Sequence, residues 1–123
     1  MKHTKLQEWT VDQLLARFAA IGVDQDKALL RGEYATFNHL FDEMIAIEDE
    51  LRARPNDRRR ELLRLYEHPC AQVRLNAVKA TLAVTPEFAR QMLQDIADSR
   101  EYPQAGDAGM TLDSLDRGIF KPT

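Results

Sequence analysis

The residues best able to do chemistry stand at His68, Pro69 and Cys70, where an imidazole and a thiol flank a proline that can open a helix. A helix N-terminus lowers a thiol pKa and an imidazole can act as its base, so the triplet first suggests an activated nucleophile. Side chains on either side of a proline rarely meet for proton transfer, however, and a lone cysteine usually serves as a small buried apolar group. Cys70 is the single cysteine, so it has no internal disulfide partner. His3 and His39 are too distant in sequence to give metal-ligand spacing with it. In PQAGDAGM, Asp107 sits between glycines, but the lysine and Ser/Thr of a phosphate loop are missing and no strand precedes it. Asp107 is expected to cap the last helix, with Gly106 and Gly109 allowing a tight turn and Asp113 and Asp116 sharing one helical face. No base, nucleophile and oxyanion donor can be assembled and no cofactor motif is present, so the chain reads as non-catalytic.

Charge offers a second kind of chemistry. The net charge is −3, but residues 24–50 carry eight acids and two bases whereas residues 52–79 carry eight bases and three acids. The basic run holds Arg52, Arg54, Arg58, Arg59, Arg60 and Arg64. Its plainest use is pairing with adjacent acidic helices. A sharper one, centred on Arg58, Arg59, Arg60 and Arg64, is a patch for an anion or an acidic partner. Overall acidity and the few aromatic residues count against nucleic acid, which stands as the alternative.

These residues must be positioned by helices, because no alternating strand pattern occurs. Thr10 and Gln13 have capping-box spacing, and Val11, Leu14, Leu15, Phe18 and Ile21 follow at helical intervals toward a stop at Gly32, with Gly22 to Asp26 as a weak interval. A second helix over about 33–54 carries Tyr34, Phe37, Leu40, Phe41, Met44, Ile47 and Leu51 on one stripe until Pro55. A short third helix, capped by Asn56 or Asp57, turns Leu62, Leu63, Leu65 and Tyr66 inward. A fourth opens at Pro69 and runs to Val84. Its polar positions Gln72, Asn76 and Lys79 form a thin strip while apolar residues fill most of the remaining circumference, so it must be flanked on two sides. Thr85 caps a fifth helix to about Arg100, with Ala89, Met92, Leu93, Ile96 and Ala97 inside. After a loop, a short sixth helix ends at Gly118, and Met110, Leu112, Leu115, Ile119 and Phe120 are expected to cover an open end of the fold. Trp9 is placed to pack on Leu14 or Leu15 as a hydrophobic staple.

At 123 residues, 44% hydrophobic and 30% charged, the chain suits one soluble domain, here residues 1–123 with 101–123 as a C-terminal cap. The N-terminal MKHTKLQEWT has no apolar core of a secretory signal and no stretch could span a membrane, so a cytoplasmic location is expected.

The segment HPCAQVRLNAVKATLAVTPEFARQMLQDI resembles a HEAT repeat, with a proline turn followed by Val73-Arg74, Ala77 and Thr81. Through FDEM at Phe41 to Met44, HPCAQVRLNA at His68 to Ala77 and PQAGDAGMTLDSLDRGIFKP at Pro103 to Pro122, nearly the whole chain is similar to a bacterial family of short HEAT-like proteins, a domain of unknown function. The resemblance implies an all-α fold, a right-handed α-α superhelix of about six helices in stacked antiparallel hairpins, and carries over no activity. By analogy of fold it implies a scaffold that binds another protein.

In such stacks the second helix of each hairpin lines the concave surface, which nominates Asn38, Asp42, Glu43, Gln72, Asn76 and Lys79 as partner-binding residues. Arg74 lies opposite the polar strip, where a guanidinium needs a carboxylate or carbonyl partner. Asp57, Asp107, Asp113 and Asp116 are the candidates, and the resemblance implies that Arg74 is a structural arginine in a ladder linking neighbouring units. A short stack has two ends, and an end left uncovered would favour a homodimer.

Overall fold

The computed structural model describes residues 5–123 and is all-α. Its elements are a 3-10 turn Leu6–Glu8, α1 Val11–Leu30, α2 Tyr34–Ala53, a 3-10 segment Arg58–Leu65, α3 Ala71–Thr81, α4 Pro86–Asp98 and α5 Gln104–Asp116. Two compact units divide at Glu61 and Leu62.

In the first unit α1 and α2 form a helical hairpin. The capping box starts α1 as its sequence predicts: Thr10 Oγ1 accepts from the Gln13 N–H at 3.1 Å, and Gln13 Oε1 accepts from the Thr10 N–H at 2.8 Å. The helix runs unbroken through Gly22 to Asp26, because Ile21, Gly22 and Gln25 are all buried and packing outweighs the glycine penalty of about 1 kcal/mol. At its end Gly32 adopts φ 69°, and the Gly32 and Glu33 N–H groups return to the Leu29 and Ala28 carbonyls, a Schellman stop. Leu14, Phe18 and Ile21 of α1 and Leu40, Met44, Ile47 and Leu51 of α2 are buried. Arg17 grips Glu43 through two 2.8 Å bonds. Arg54, held by Glu50, donates to the carbonyls of Leu6 and Trp9 and ties the 3-10 turn to the end of α2. The α2 stripe is only partly inside: Tyr34 and Phe41, expected in the core, are exposed.

Arg58–Leu65 is a 3-10 segment rather than the expected α-helix. Asn56 and Asp57 both have positive φ, and Asp57 Oδ1 accepts from the Arg59 N–H, a local bond that competes with α-helical pairing.

The second unit is built on α3, which packs against both α4 and α5. Helix α3 begins at Ala71, two residues past Pro69, with Cys70 as N-cap. It stops at Thr81 rather than Val84, where the Thr81 carbonyl takes the N–H groups of Val84 and Thr85. Thr81 Oγ1 donates to the Ala77 carbonyl at 2.9 Å and is hydrogen-bonded to the Tyr66 hydroxyl. Thr85 is the N-cap of α4, but its hydroxyl donates back to the Thr81 carbonyl rather than capping. Ala89, Leu93 and Ile96 are its buried face.

The largest departure from the sequence reading is α5. The expected loop from Gln104 to Gly109 is helical, so Gly106 and Gly109 make no turn and Asp107 lies in the first helical turn rather than at the cap. Gly118, at φ 70°, ends α5 with a second Schellman stop, its own N–H and that of Ile119 bonding the Leu115 and Ser114 carbonyls. Met110, Ile119 and Phe120, expected to cover apolar surface, are themselves exposed.

Candidate functional site

The polar strip of α3 is a buried network instead of the exposed surface that its sequence suggested. Gln72 and Asn76 are each 6% exposed. Gln104 Nε2 donates to Gln72 Oε1 at 3.0 Å, and Gln72 Nε2 donates to Asn76 Oδ1 at 2.9 Å. The reason is the early start of α5, which brings a third amide over the strip. Neither Gln72 nor Asn76 is therefore available to a partner. Of the other nominated residues, Asn38 and Asp42 are exposed on α2, while Glu43 is half-buried and engaged with Arg17.

Lys79 is the exposed end of the α3 strip, and its Nζ lies 2.6 Å from Asp107 Oδ1. Asp107 also accepts from Thr111 Oγ1 at 3.2 Å. Beside this pair Met110, Thr111, Ser114, Phe120 and Lys79 line an open groove of about 270 Å³. Its polar lining is Lys79 with the hydroxyls of Thr111 and Ser114, and its apolar lining is the Met110 thioether and the Phe120 ring, which suits an apolar side chain better than a reacting group.

Arg74 is held from three directions. Its guanidinium donates to the carbonyls of His68 at 2.8 Å and Pro69 at 3.2 Å and meets Glu101 Oε1 at 2.5 Å. None of the four aspartates nominated from the sequence is its partner; Glu101, just beyond α4, takes that place. The side chain thus closes the turn ahead of α3 onto the far end of the α3–α4 hairpin, as a structural arginine would.

At the turn itself, the Cys70 N–H donates to His68 Nδ1 at 3.0 Å. That bond occupies the Nδ1 lone pair and leaves Nε2 carrying the proton, so Nδ1 is not free to serve as a base toward the thiol. His3 lies outside the described residues. Among the described residues no three His, Cys, Asp or Glu side chains converge on a metal-sized site.

The basic segment divides in the same way. Arg59 is 5% exposed and forks onto Asp57, with Nε to Oδ1 at 2.9 Å and Nη2 to Oδ2 at 2.7 Å. This contact raises the Arg59 pKa and holds the Asp57 carboxyl below its usual range. Glu48 moves the other way: burial raises its pKa, and the field of Arg59 partly offsets the rise. Arg58 pairs with Glu61 at 3.1 Å. Arg60 and Arg64 are exposed. A cleft of about 490 Å³ over Pro55, Asn56 and Arg60 is walled by Arg54 and Arg58, both already engaged with carboxylates. Of the expected four-arginine patch, Arg58 and Arg59 are thus taken up by carboxylates within the fold.

The family described as a domain of unknown function, DUF2019, matches residues 12–116. The chain belongs to the DUF2019 family. The match spans FDEM, HPCAQVRLNA and the helical part of PQAGDAGMTLDSLDRGIFKP, the three segments that carried the resemblance. The DUF2019 chain is also 51% identical to the protein RPA1889 from Rhodopseudomonas palustris CGA009, whose crystal structure it matches with a TM-score of 0.95 over 98% of this chain and 100% of that one. No curated protein matches it. Among the described residues of the DUF2019 chain no helix is long and apolar enough to cross a membrane.

Proposed function

We propose that this DUF2019 protein is a non-catalytic protein-interaction module of the bacterial cytoplasm, built from HEAT-like helical hairpins. One observation carries the reading: the groups able to do chemistry are tied to one another, while large apolar side chains are left exposed in both units. Leu30, Tyr34 and Phe41 are exposed in the first and Met110, Ile119 and Phe120 in the second. Apolar surface shown to water in clusters is what a partner covers. The Arg59–Asp57 fork and the Arg58–Glu61 pair weigh against phosphate or nucleic acid as the ligand of the basic segment, because two of its cations are already paired with carboxylates.

The test is affinity capture from the native host at two salt concentrations. The reading expects a protein partner retained at high salt. Capture of nucleic acid, lost steeply with added salt, or turnover of a substrate by the purified chain would overturn it.

A further inference from the structure

Helix α2 carries two apolar stripes. Leu40, Met44, Ile47 and Leu51 form the buried one. Tyr34, Phe37, Phe41 and Ile45 form the other, at spacings of three, four and four residues, turned roughly 100° about the axis from the first. Phe37 and Ile45 are half-buried, but Tyr34 is 65% exposed and Phe41 45%. Leu30, the last residue of α1 and four before Tyr34, is 82% exposed. Within its own unit α2 has the long helix α1 as companion on one side, whereas α3 of the second unit has helices on two.

The border of the stripe says what would cover it. Asn38, Asp42 and Asp49 follow one another along its outer edge, and Glu48 lies on its inner edge. Glu33 stands exposed immediately before Tyr34. Glu33, Asp42 and Asp49 form no ion pair among the described residues, and the surrounding segment 24–50 has a net charge of −6. Along α2 itself the cations next to the stripe in sequence are Arg31 and Arg52, one beyond each end, and of the cations that reach the helix from elsewhere Arg17 is bound to Glu43 and Arg59 to Asp57. A second copy applied face to face would bring Asp42 and Asp49 against themselves, since a two-fold contact repeats the same patch. An anionic membrane or a nucleic acid would be repelled by the same acids.

We infer that the Tyr34–Phe37–Phe41–Ile45 face of α2 docks an amphipathic helix of a partner protein whose apolar ridge is bordered by lysine or arginine. The inference rests on the protein-interaction reading above and gives it a surface and a partner chemistry. Apolar ridges at i, i+3 and i+7 interlock with a stripe of this spacing, and the flanking cations select for the acidic border.

The probe is a fluorescent 18-residue helical peptide with leucines at spacings of three and four and lysines beside them, compared with a twin in which glutamates replace the lysines. The lysine peptide is expected to bind at least tenfold tighter than the glutamate peptide. Tyr34→Ala with Phe41→Ala should weaken it at least tenfold, and Asp42→Lys with Asp49→Lys should reverse the preference. Because these side chains are exposed, the thermal melts of both variants should stay within a few degrees of the parent, which separates lost binding from lost folding. Equal binding of the two peptides, or undiminished binding to the alanine variant, would overturn the assignment. So would self-association, or binding to anionic vesicles, that Phe41→Ala abolishes. If a protein captured from the host is retained equally by the alanine variant, the interaction module stands and this face is wrong. If neither the parent nor the variant captures a protein and the peptide also fails, both readings fall.

Discussion

Gln104 in the first turn of α5 donates its amide N–H to the Gln72 carbonyl oxygen in the first turn of α3, 3.0 Å away and inside the second unit. An amide removed from water must find partners within the protein, and this bond supplies one to each residue. Gln72 passes the arrangement on to Asn76, so that three amides from two helices act together. Gln104→Ala is expected to cost about 1–3 kcal/mol in urea unfolding, with Gln72→Ala similar and the double variant less than additive. Strict additivity would show that the two side chains do not cooperate.

Arg74 should matter more than its carboxylate. Glu101 is about half exposed, so its ion pair with Arg74 is screened and Glu101→Gln is expected to lose no more than about 1 kcal/mol. Arg74→Met also strands the carbonyls of His68 and Pro69 and is expected to lose about 1.5–3 kcal/mol. Arg74→Lys should recover little of this, because one ammonium cannot span the three acceptors as a planar guanidinium does. Chemical denaturation of the three variants gives the ranking.

Asp57 and Glu48 predict opposite acid responses. The pKa of Asp57 is depressed in the folded state, so its contribution is present above the unfolded value of 3.8 and fades as pH falls through the lower folded value. Asp57→Asn keeps a side chain suited to positive φ while removing the charge beside buried Arg59. It should cost about 1–3 kcal/mol at neutral pH and progressively less in strong acid. Glu48 has a raised folded pKa, so the native state holds its proton more tightly and stability falls as pH rises from 4.5 through that value. Glu48→Gln should remove this loss and raise the melting temperature at neutral pH relative to the parent. Melting temperature against pH for parent and both variants reads both signs.

Gly32 and Gly118 test backbone geometry without packing. Both have positive φ, and a Cβ at either would meet nothing within 4 Å. Alanine at each is therefore expected to cost about 1 kcal/mol through conformation alone. A neutral result at Gly32 would indicate that the hairpin turn relaxes to another form, visible as lost hydrogen-exchange protection at the Gly32 and Glu33 amides.

What the sequence made legible was local. Thr10 with Gln13, the glycine stops and the α2 repeat each lie within a few residues of their partners, and spacing alone exposes them. The start of α5 was hidden because Gly106 and Gly109 in isolation favour a turn, whereas buried Ala105 and Ala108, three apart, mark a helix only once α3 is there to receive them. The same missing neighbour made Gln72 and Asn76 look like surface, since a helical wheel assigns polar residues to water and cannot see an amide 32 residues away. Arg59 was readable in principle. Its partner Asp57 is two residues distant, but a run of arginines draws attention to their sum rather than to the one that turns inward.

The Gln72–Gln104 contact also sets an order on biosynthesis. While the ribosome is still making α5, the amides of α3 have no helix to receive them and must stay with solvent, so the second unit cannot close by adding helices one after another as they emerge. Its maturation waits for α5, and a chain stalled between Ser99 and Gln104 would present to chaperones and proteases an α3 covered by α4 on one side and still open on the side that α5 takes.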